Sequence, residues 1–272
     1  MKKLFIIGAS GLVGRAIAAE CLNDFDVYGT YFSSTTNLED DKQFYLDIQE
    51  EGTIREILNS VQPDIVISCL QGDYDAQFKF HNKLAEELIN RDSVLYFFST
   101  TNVFDGDLSK HHNEMDEPIS KSDYGQYKIN CEKMLVQILG NRVSIVRIPG
   151  IWGKNSPRLN NIKKNISNSI PIQAYSNLEW SFLLDTQLAR QMHYILKNEL
   201  SGVMHLGAVD MITESTFVKE LVNKLTSEEI NIHDKPYEDE VQTYYFGLVS
   251  NRKDLPRSLQ STNEEIISCL VD

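Results

Sequence analysis

The sequence feature that most constrains the fold is a glycine-rich segment near the amino terminus. Three glycines spaced G-x-x-G-x-x-G follow the apolar run Leu4–Ile7 and precede the helical pattern Arg15–Leu22. In such a strand, turn and helix, the first glycine permits the tight turn, the second lets the backbone approach a pyrophosphate, and the third lets the helix pack on the strand. The first N–H groups of the helix then face the anion. We therefore expect a dinucleotide to contact Gly8, Ser10, Gly11, Leu12, Val13 and Gly14.

Three features bear on the cellular compartment. Met1–Lys3 and the apolar stretch after it resemble a secretory signal, but Ser10, three glycines and Arg15 interrupt the apolar core that a signal needs. No apolar run approaches the ~20 residues of a membrane-spanning helix, so no membrane partner is expected. Four cysteines stand far apart without a C-x-x-C pair, and we expect buried thiols in a reducing cytoplasm at Cys21, Cys69, Cys131 and Cys269.

The charge balance restricts the class of partner. The 272-residue chain has 26 Lys and Arg against 39 Asp and Glu, a formal net charge of -13. Because this charge repels a phosphate backbone and no basic stripe offsets it, binding to nucleic acid is not expected. The pair His111-His112 lies near several acids, but adjacent residues of an extended loop point apart, so no metal site is expected. A homodimer, the commonest soluble oligomer, is the expected assembly.

Apolar runs that alternate with helical patterns predict the fold class. Residues 65–70 form a continuous apolar run of the kind buried in parallel sheets, and residues 25–31, 94–98 and 143–148 are predicted to be further strands. They predict an α/β fold, a Rossmann-type doubly wound parallel sheet with a smaller C-terminal substrate-binding lobe. The expected division is residues 1–150 for NAD(P) binding and 151–272 for the substrate. Part of the second region, about 183–206, is expected to return to the first core.

The end of the second predicted strand bears on the choice between NAD and NADP. An acid there would hydrogen-bond the adenosine 2′-hydroxyl of NAD. The chain instead has Tyr31, Ser33 and neighbouring hydroxyls, with Arg15 nearby, so NADP(H) is favoured over NAD(H). Asp47, after a short third strand, is expected near the adenine, although helix capping would explain it almost as well. Cys69, at the end of the fourth strand, is expected beside the cofactor.

Hydroxyl, phenol and amine groups follow the strand that ends near residue 98. Ser99 and Thr100 lie at its carboxyl end, where ligands bind in open α/β sheets. Tyr124 and Lys128 are four residues apart and share one helix face. Because a nearby cation lowers the pKa of a phenol, Lys128 would activate Tyr124 as a proton donor while Thr100 holds a substrate carbonyl. Ser99, Tyr124 and Lys128 are also expected to contact the cofactor. The alternative is that Tyr124 packs and the Lys128 stem covers it.

Three motifs together resemble the extended short-chain dehydrogenase/reductase superfamily, and within it the dTDP-4-dehydrorhamnose reductase family of sugar-nucleotide reductases. They are Gly8–Gly14, Ser99–Gly106 and Tyr124–Lys128. An E-x-D-x-P pattern of that family is also matched at Glu114–Pro118. The resemblance implies an NAD(P)H-dependent reductase of a nucleotide-activated keto-deoxysugar. It implies a catalytic set of Thr100, Tyr124 and Lys128.

The chain departs from the family pattern at two places that should border the sugar. Thr101-Asn102 stands where the family has D-Y, and Gly150 stands where it often has a tryptophan. These departures weaken the assignment of the particular sugar far more than they weaken the assignment of the reaction class. Two alternatives remain. One is a sugar-nucleotide epimerase or dehydratase on the same scaffold. The other is a non-catalytic NAD(P)-binding regulatory subunit, which the resemblance to the β subunit of methionine adenosyltransferase allows.

The segment after Gly150 is less regular. Asn, Ser and Lys dominate residues 154–169, and a mobile loop that closes on a ligand is expected over 154–161. Trp180 and Phe182 would either stack on a base or sugar or pack in the core. Three cations occur here in an otherwise acidic chain, and one of them is expected to meet a substrate diphosphate unless all belong to a solvated helix face: Arg158, Lys163 and Lys164.

Overall fold

Seven parallel strands form the central sheet of the protein, which a computed structural model describes over residues 1–50 and 52–272. All neighbouring strands run parallel. In spatial order they are β11 (Val203–His205), β6 (Val143–Ile148), β5 (Val94–Thr100), β4 (Ile65–Ser68), β1 (Lys3–Ile7), β2 (Asp26–Tyr31) and β3 (Gln43–Tyr45). The predicted doubly wound α/β fold is confirmed. The strand order reverses beside β1, which creates the crevice where ligands bind in such sheets.

Helices cover both faces of the sheet, as the alternation within β1 illustrates. Because successive side chains of a strand point to opposite faces, Leu4 and Ile6 enter one core and Phe5 and Ile7 enter the other. The first face is covered by α1 (Leu12–Cys21) and α6 (Asp185–Lys197). The second face is covered by α2 (Thr53–Val61), α3 (Tyr74–Leu88) and α4 (Asp123–Leu139).

A third, smaller core lies beyond the carboxyl ends of the central strands. Its aromatic centre is formed by Trp152, Phe182 and Phe217, with ring centroids 5.0 Å apart for Trp152–Phe217 and 4.4 Å apart for Phe182–Phe217. Its helices are α5 (Pro157–Ser167), α7 (Glu214–Leu225) and α8 (Asn263–Val271). Its short strands are β7 (Ile151–Trp152), β8 (Ile172–Tyr175), β9 (Leu178–Trp180), β10 (Leu183–Leu184), β12 (Ile212–Thr213), β13 (Ile232–Lys235) and β14 (Tyr244–Tyr245).

The two parts of the chain are interleaved. Helix α6 contributes Leu188 and Met192 to the core that also contains Ile17 of α1. Strand β11 then pairs with β6 at the edge of the central sheet. The division at residue 150 stays a prediction, and residues 185–205 pack as part of the first body. No helix within the described residues is long and apolar enough to cross a membrane.

Two expectations about the second region are wrong. The loop expected over residues 154–161 becomes helix from Pro157, because the Ser156 hydroxyl accepts a hydrogen bond from the N–H of Leu159 at 3.3 Å and Pro157 occupies the first turn. The thiol of Cys269 is exposed rather than buried. On α8 the apolar side faces inward through Ile266 and its neighbours, and Cys269 falls on the opposite side.

Candidate active site

A cavity of about 1420 Å³ opens at the carboxyl ends of the central strands. One wall is the segment between β1 and α1, and the other is built from β7, α5 and the start of α6. The structure brings together all but one of the residues that the sequence predicted for the site. Those that line the cavity are Gly8, Ser10, Gly11, Leu12, Val13, Gly14, Tyr31, Ser33, Cys69, Ser99, Thr100, Tyr124 and Lys128.

The glycine segment leaves little room for side chains. Gly8 has a φ of +84°, a conformation that favours glycine. A Cβ on Gly14 would lie 2.3 Å from the carbonyl oxygen of Gly8 and 2.8 Å from Cα of Ala9, so the helix can pack there only without a side chain. Gly11 precedes α1, and no side chain caps the first turn of that helix. Its N–H groups can therefore face an anion in the cavity.

The side chains at the end of β2 are neutral. Tyr31 and Ser33 line the cavity, and no acid from this segment does so. Arg15 also lines it, and its guanidinium donates to the carbonyl oxygens of Ser10 at 2.7 Å and Thr35 at 3.1 Å. These bonds hold a positive charge beside the segment that the sequence predicted to meet the adenosine ribose.

Asp47 is the predicted cofactor residue that does not line the cavity. Its carboxylate accepts a hydrogen bond from the N–H of Gln49 at 2.9 Å, as a turn-forming aspartate does, and the preceding residue Leu46 faces the cavity instead. Cys69 does line the cavity, and burial raises the pKa of its thiol to about 12. Cys69 is therefore a neutral part of the wall at physiological pH.

Thr100 ends β5 with its hydroxyl already engaged. The hydroxyl donates to Oδ1 of Asn102 at 3.0 Å and accepts from the N–H of Asn102 at 3.2 Å. The hydroxyl of Thr101 turns away and donates to the carbonyl oxygen of Phe246 at 2.9 Å. Thr101 and Asn102 are the two polar residues that depart from the family pattern. Of these, only Asn102 is hydrogen-bonded to Thr100, the group predicted to orient the substrate carbonyl.

Tyr124 and Lys128 lie on the cavity face of α4, but Lys128 does not dominate the acidity of the phenol. Burial raises the pKa of Tyr124, and the Thr100 hydroxyl partly opposes this shift. The lowering expected from Lys128 is absent because its ammonium lies 6.0 Å from the centre of the Tyr124 ring and donates to the carbonyl oxygen of Phe98 at 2.8 Å. Burial lowers the pKa of Lys128 itself to about 8.

The position of α4 is fixed by the segment that precedes it. The carboxylate of Asp105 accepts hydrogen bonds from the hydroxyls of Ser120, at 2.7 Å, and Ser122. Ser122 in turn accepts from the N–H of Gly125 and caps the helix. A Cβ on Gly125 would lie 2.3 Å from the carbonyl oxygen of Asn102. Tyr-Gly at this point therefore brings the helix close to the end of β5.

A buried ion pair below the cavity was not predicted from the sequence. Glu132 accepts hydrogen bonds from Nη2 of Arg147 at 2.7 Å and Nε at 3.1 Å, and from the hydroxyl of Ser99. All three side chains are buried. Ser99 thus lines the cavity with its hydroxyl committed to Glu132. The sequence carried only a partial signal: Glu132 follows Lys128 by four residues on the same helix face, but this spacing does not identify Arg147 as its partner.

The opposite wall carries charges of a different kind. Arg158 lines the cavity, and a Cβ on Gly150 would lie 3.2 Å from its Nη2 atom. Lys163 and Lys164, the other two cations considered for a diphosphate, are exposed on α5 and do not line the cavity. Lys154 does line it, although the sequence analysis considered it only as the start of the loop expected over 154–161 and not as a diphosphate ligand.

Trp180 packs against other aromatic rings, and its stacking on a base or sugar stays a prediction. Its ring stacks on Phe182 with centroids 5.5 Å apart and packs edge-on against Phe246 at 4.6 Å. It also lines the cavity, and its indole N–H has no hydrogen-bond partner within the described chain. Phe182 belongs to the core.

The histidine pair is divided between two surroundings. Nε2 of His111 lies 3.0 Å from Oε2 of Glu179, whereas the ring of His112 is buried and stacks on Phe104 with centroids 4.3 Å apart. Across residues 1–50 and 52–272, no group of three or more His, Cys, Asp and Glu side chains could hold a metal ion.

Several cavity residues were missed because their own segments carry no motif. They reach the cavity from strand ends, loops and the C-terminal helix, and only the fold brings them together. These residues are Thr30, Asn37, Leu46, Gln71, Asp185, Cys269 and Asp272.

The fold is a Rossmann-type α/β fold with its cavity at the carboxyl ends of the parallel strands. The family model described as the RmlD substrate binding domain matches residues 1–243, and the chain belongs to this family. Two solved structures share the fold over nearly the whole chain, both of them dTDP-4-dehydrorhamnose reductases. The protein from Clostridium acetobutylicum has 18% identity and a TM-score of 0.79, covering 98% of each chain. The protein from Bacillus anthracis, in complex with NADP, has 19% identity and a TM-score of 0.78, covering 98% of this chain and 97% of that one.

Curated relatives match a shorter region. The β subunit of methionine adenosyltransferase 2 from Danio rerio is 25% identical over 166 residues, 56% of this chain and 49% of that protein. The dTDP-4-dehydrorhamnose reductase of Aggregatibacter actinomycetemcomitans is 26% identical over 152 residues, 51% of this chain and 48% of that protein. The chain thus spans about half the length of these relatives in the alignments.

Proposed function

We propose that the protein is an NADPH-preferring reductase of a keto group on a nucleotide-activated deoxysugar, similar to dTDP-4-dehydrorhamnose reductase. The observation that carries this proposal is that Thr100, Tyr124 and Lys128 line the same cavity as Gly8–Gly14. Membership of the family supports the reaction class. A neutral β2 end with Arg15 beside it supports NADPH over NADH.

The wall from Gly8 to Gly14 fits the pyrophosphate of a dinucleotide. Its backbone is unobstructed by side chains at the glycines, and the first N–H groups of α1 have no side-chain cap. When bound, the nicotinamide supplies the hydride that the carbonyl carbon accepts. The remaining steps belong to side chains at the ends of β5 and α4.

Tyr124 would act as the proton donor. Because burial raises the pKa of its phenol, the group stays protonated at neutral pH until the carbonyl oxygen gains charge. Thr100 would turn its hydroxyl from Asn102 to the same oxygen and orient it. Lys128 would stabilise the phenolate left after proton transfer by turning its ammonium from the carbonyl oxygen of Phe98 towards Tyr124. A pKa of about 8 keeps that ammonium mostly charged at pH 7.

The test is oxidation of NADPH in the presence of dTDP-4-keto-6-deoxyglucose, followed by absorbance. Tyr124→Phe should lower kcat by about 100- to 10,000-fold, the range for loss of a general acid. Tyr74→Phe is the matched control, because Tyr74 packs against Tyr124 with ring centroids 5.5 Å apart and its hydroxyl makes no hydrogen bond within the described chain. Turnover that survives in Tyr124→Phe would exclude the proposed role. A parallel assay with NADH measures the cofactor preference.

A second candidate is a regulatory subunit that binds NADP(H) without turnover. The methionine adenosyltransferase β subunits among the relatives favour it, as do the departures at Thr101-Asn102 and Gly150. Tight NADPH binding without oxidation across a panel of keto-sugar nucleotides would support this candidate. Turnover that depends on Tyr124 would exclude it.

A further inference from the structure

Four cationic side chains line the cavity, and they differ in how they are bonded. Arg15 donates to two backbone carbonyl oxygens and Lys128 donates to one. Lys154 and Arg158 make no side-chain hydrogen bond or ion pair with any part of the chain that the structure describes. The first two cations stabilise the protein itself. The other two keep their full capacity to pair with an anion.

Arg158 occupies space that exists because residue 150 is a glycine. A Cβ on Gly150 would lie 3.2 Å from Nη2 of Arg158, 3.3 Å from Cζ and 3.6 Å from Nε. Gly150 is not among the glycines with positive φ, so its backbone conformation does not require the absence of a side chain. A side chain much larger than a methyl group would therefore take the place of the guanidinium. The residues at 150 and 158 are sterically coupled.

The position of Gly150 places this guanidinium on the substrate side of the cavity. Ile148, at the end of β6, is paired in register with Thr100 at the end of β5, and Gly150 follows two residues later. Strand β6 is separated from β1 by β5 and β4, a distance of ~14 Å at the usual spacing of strands. Gly150 therefore follows a strand that is three positions from the strand leading into Gly8–Gly14 and is paired with the strand that carries Thr100, and the Arg158 guanidinium lies beside Gly150.

The acids near Arg158 do not neutralise it. Glu214 favours the charged guanidinium but lies beyond ion-pair distance, and its carboxylate accepts the N–H of Tyr175 at 3.0 Å. Asp185 accepts the N–H of Thr186 at 2.7 Å. The guanidinium, with its planar set of donors, is suited to pair with two oxygens of one phosphate group.

We propose that Arg158, in the space left by Gly150, binds the diphosphate of the nucleotide-activated substrate. This inference rests on the proposed function, because it assigns part of the substrate to the same cavity. One sugar ring separates a 4-keto group from the first phosphate, which agrees with a guanidinium a short way beyond Thr100. Residue 150 then determines whether the chain can use this contact.

Binding can be measured by calorimetry on NADPH-saturated protein, so that NADPH occupies the dinucleotide segment. The probes are dTDP, UDP, GDP and CDP. Arg158→Met should weaken the best of them by about 10- to 100-fold, the loss of a charge-assisted hydrogen-bonded pair. Lys163→Met is the matched control, because Lys163 is exposed on the same helix and does not line the cavity. It should bind like the wild type.

The coupling between the two positions gives a sharper test. Gly150→Trp should weaken binding about as much as Arg158→Met, and adding it to Arg158→Met should cause little further loss. The proposal is overturned if no nucleoside diphosphate binds the wild type, if Arg158→Met binds like Lys163→Met, or if the two substitutions are additive. None of these binding measurements depends on catalytic turnover. Binding that depends on Arg158 would therefore stand even if no keto-sugar were reduced.

Discussion

The two walls of the cavity differ in how tightly their glycines and charged residues are packed. On the cofactor side, a Cβ on Gly14 would collide with backbone atoms. Below the strand ends, Glu132 of α4 and Arg147 of β6 pair in the floor of the cavity. On the substrate side, a Cβ on Gly150 would meet only the end of the Arg158 side chain. The first wall is therefore fixed by its own contacts. The second leaves charged and polar atoms free to contact a ligand.

The contrast separates residues that maintain the site from residues that select what enters it. A buried charge whose partners all lie within the protein contributes to the free energy of folding, because removing it leaves its partner buried and unpaired. An unpartnered charge at a cavity wall contributes little to folding and can be exchanged at small cost. Substitutions that change the substrate are thus expected on the β7 and α5 side, where Gly150, one of the two departures from the family pattern, also lies.

The largest effect is expected from the two arginines. Arg147→Met should lower the free energy of unfolding by about 3–5 kcal/mol, because it leaves the buried carboxylate of Glu132 unpaired. Arg158→Met should change it by less than about 0.5 kcal/mol, as for a surface residue without a partner. Urea denaturation of both variants measures the difference. Equal losses in the two variants would contradict the distinction between the tightly packed floor of the cavity and its substrate-side wall.

Substitution of Gly14 and Gly150 should give a smaller difference in the free energy of unfolding, again with the larger loss away from the substrate-side wall. Gly14→Ala should lower the free energy of unfolding by about 1–3 kcal/mol, since its Cβ lies 2.3 Å from the backbone oxygen of Gly8 and the helix must move. This cost exceeds the gain of about 1 kcal/mol that alanine brings to a helix interior. Gly150→Ala should cost less than about 0.5 kcal/mol, because the flexible end of Arg158 can shift. The same denaturation assay tests both.

Local signals explain most of what could be predicted. The glycine segment and the Tyr124–Lys128 spacing need only one strand, one turn or one helix, so the sequence suffices to find them. The Glu132–Arg147 pair depends on the register between β5 and β6, where Ser99 faces Arg147, and no segment of the sequence carries that information by itself. Helix α5 was missed although Ser156-Pro157 is a good start signal, because the polar residues after it suggested a loop.

The acidity of Tyr124 shows why a correct motif can give a wrong electrostatic expectation. Spacing on a helix establishes that Lys128 and Tyr124 share a face, and that part is observed. It does not say which other acceptor the ammonium will reach. Lys128 extends to the carbonyl oxygen of Phe98, so burial dominates the phenol. Burial raises the pKa of a phenol and a nearby cation lowers it, and the geometry decides which of these two effects dominates.

Lys128 gives the smallest effect and tests the tightness of the cofactor wall directly. Its pKa is about 8 in the folded protein against a usual 10.5, so between these values the unfolded chain holds a proton that the folded chain has released. Raising the pH in this window therefore favours folding. The wild type should gain about 1 kcal/mol relative to Lys128→Met between pH 8 and 9, measured by urea denaturation. A constant difference between wild type and Lys128→Met would mean that the ammonium is solvated, and the cofactor wall would then be as open as the substrate wall.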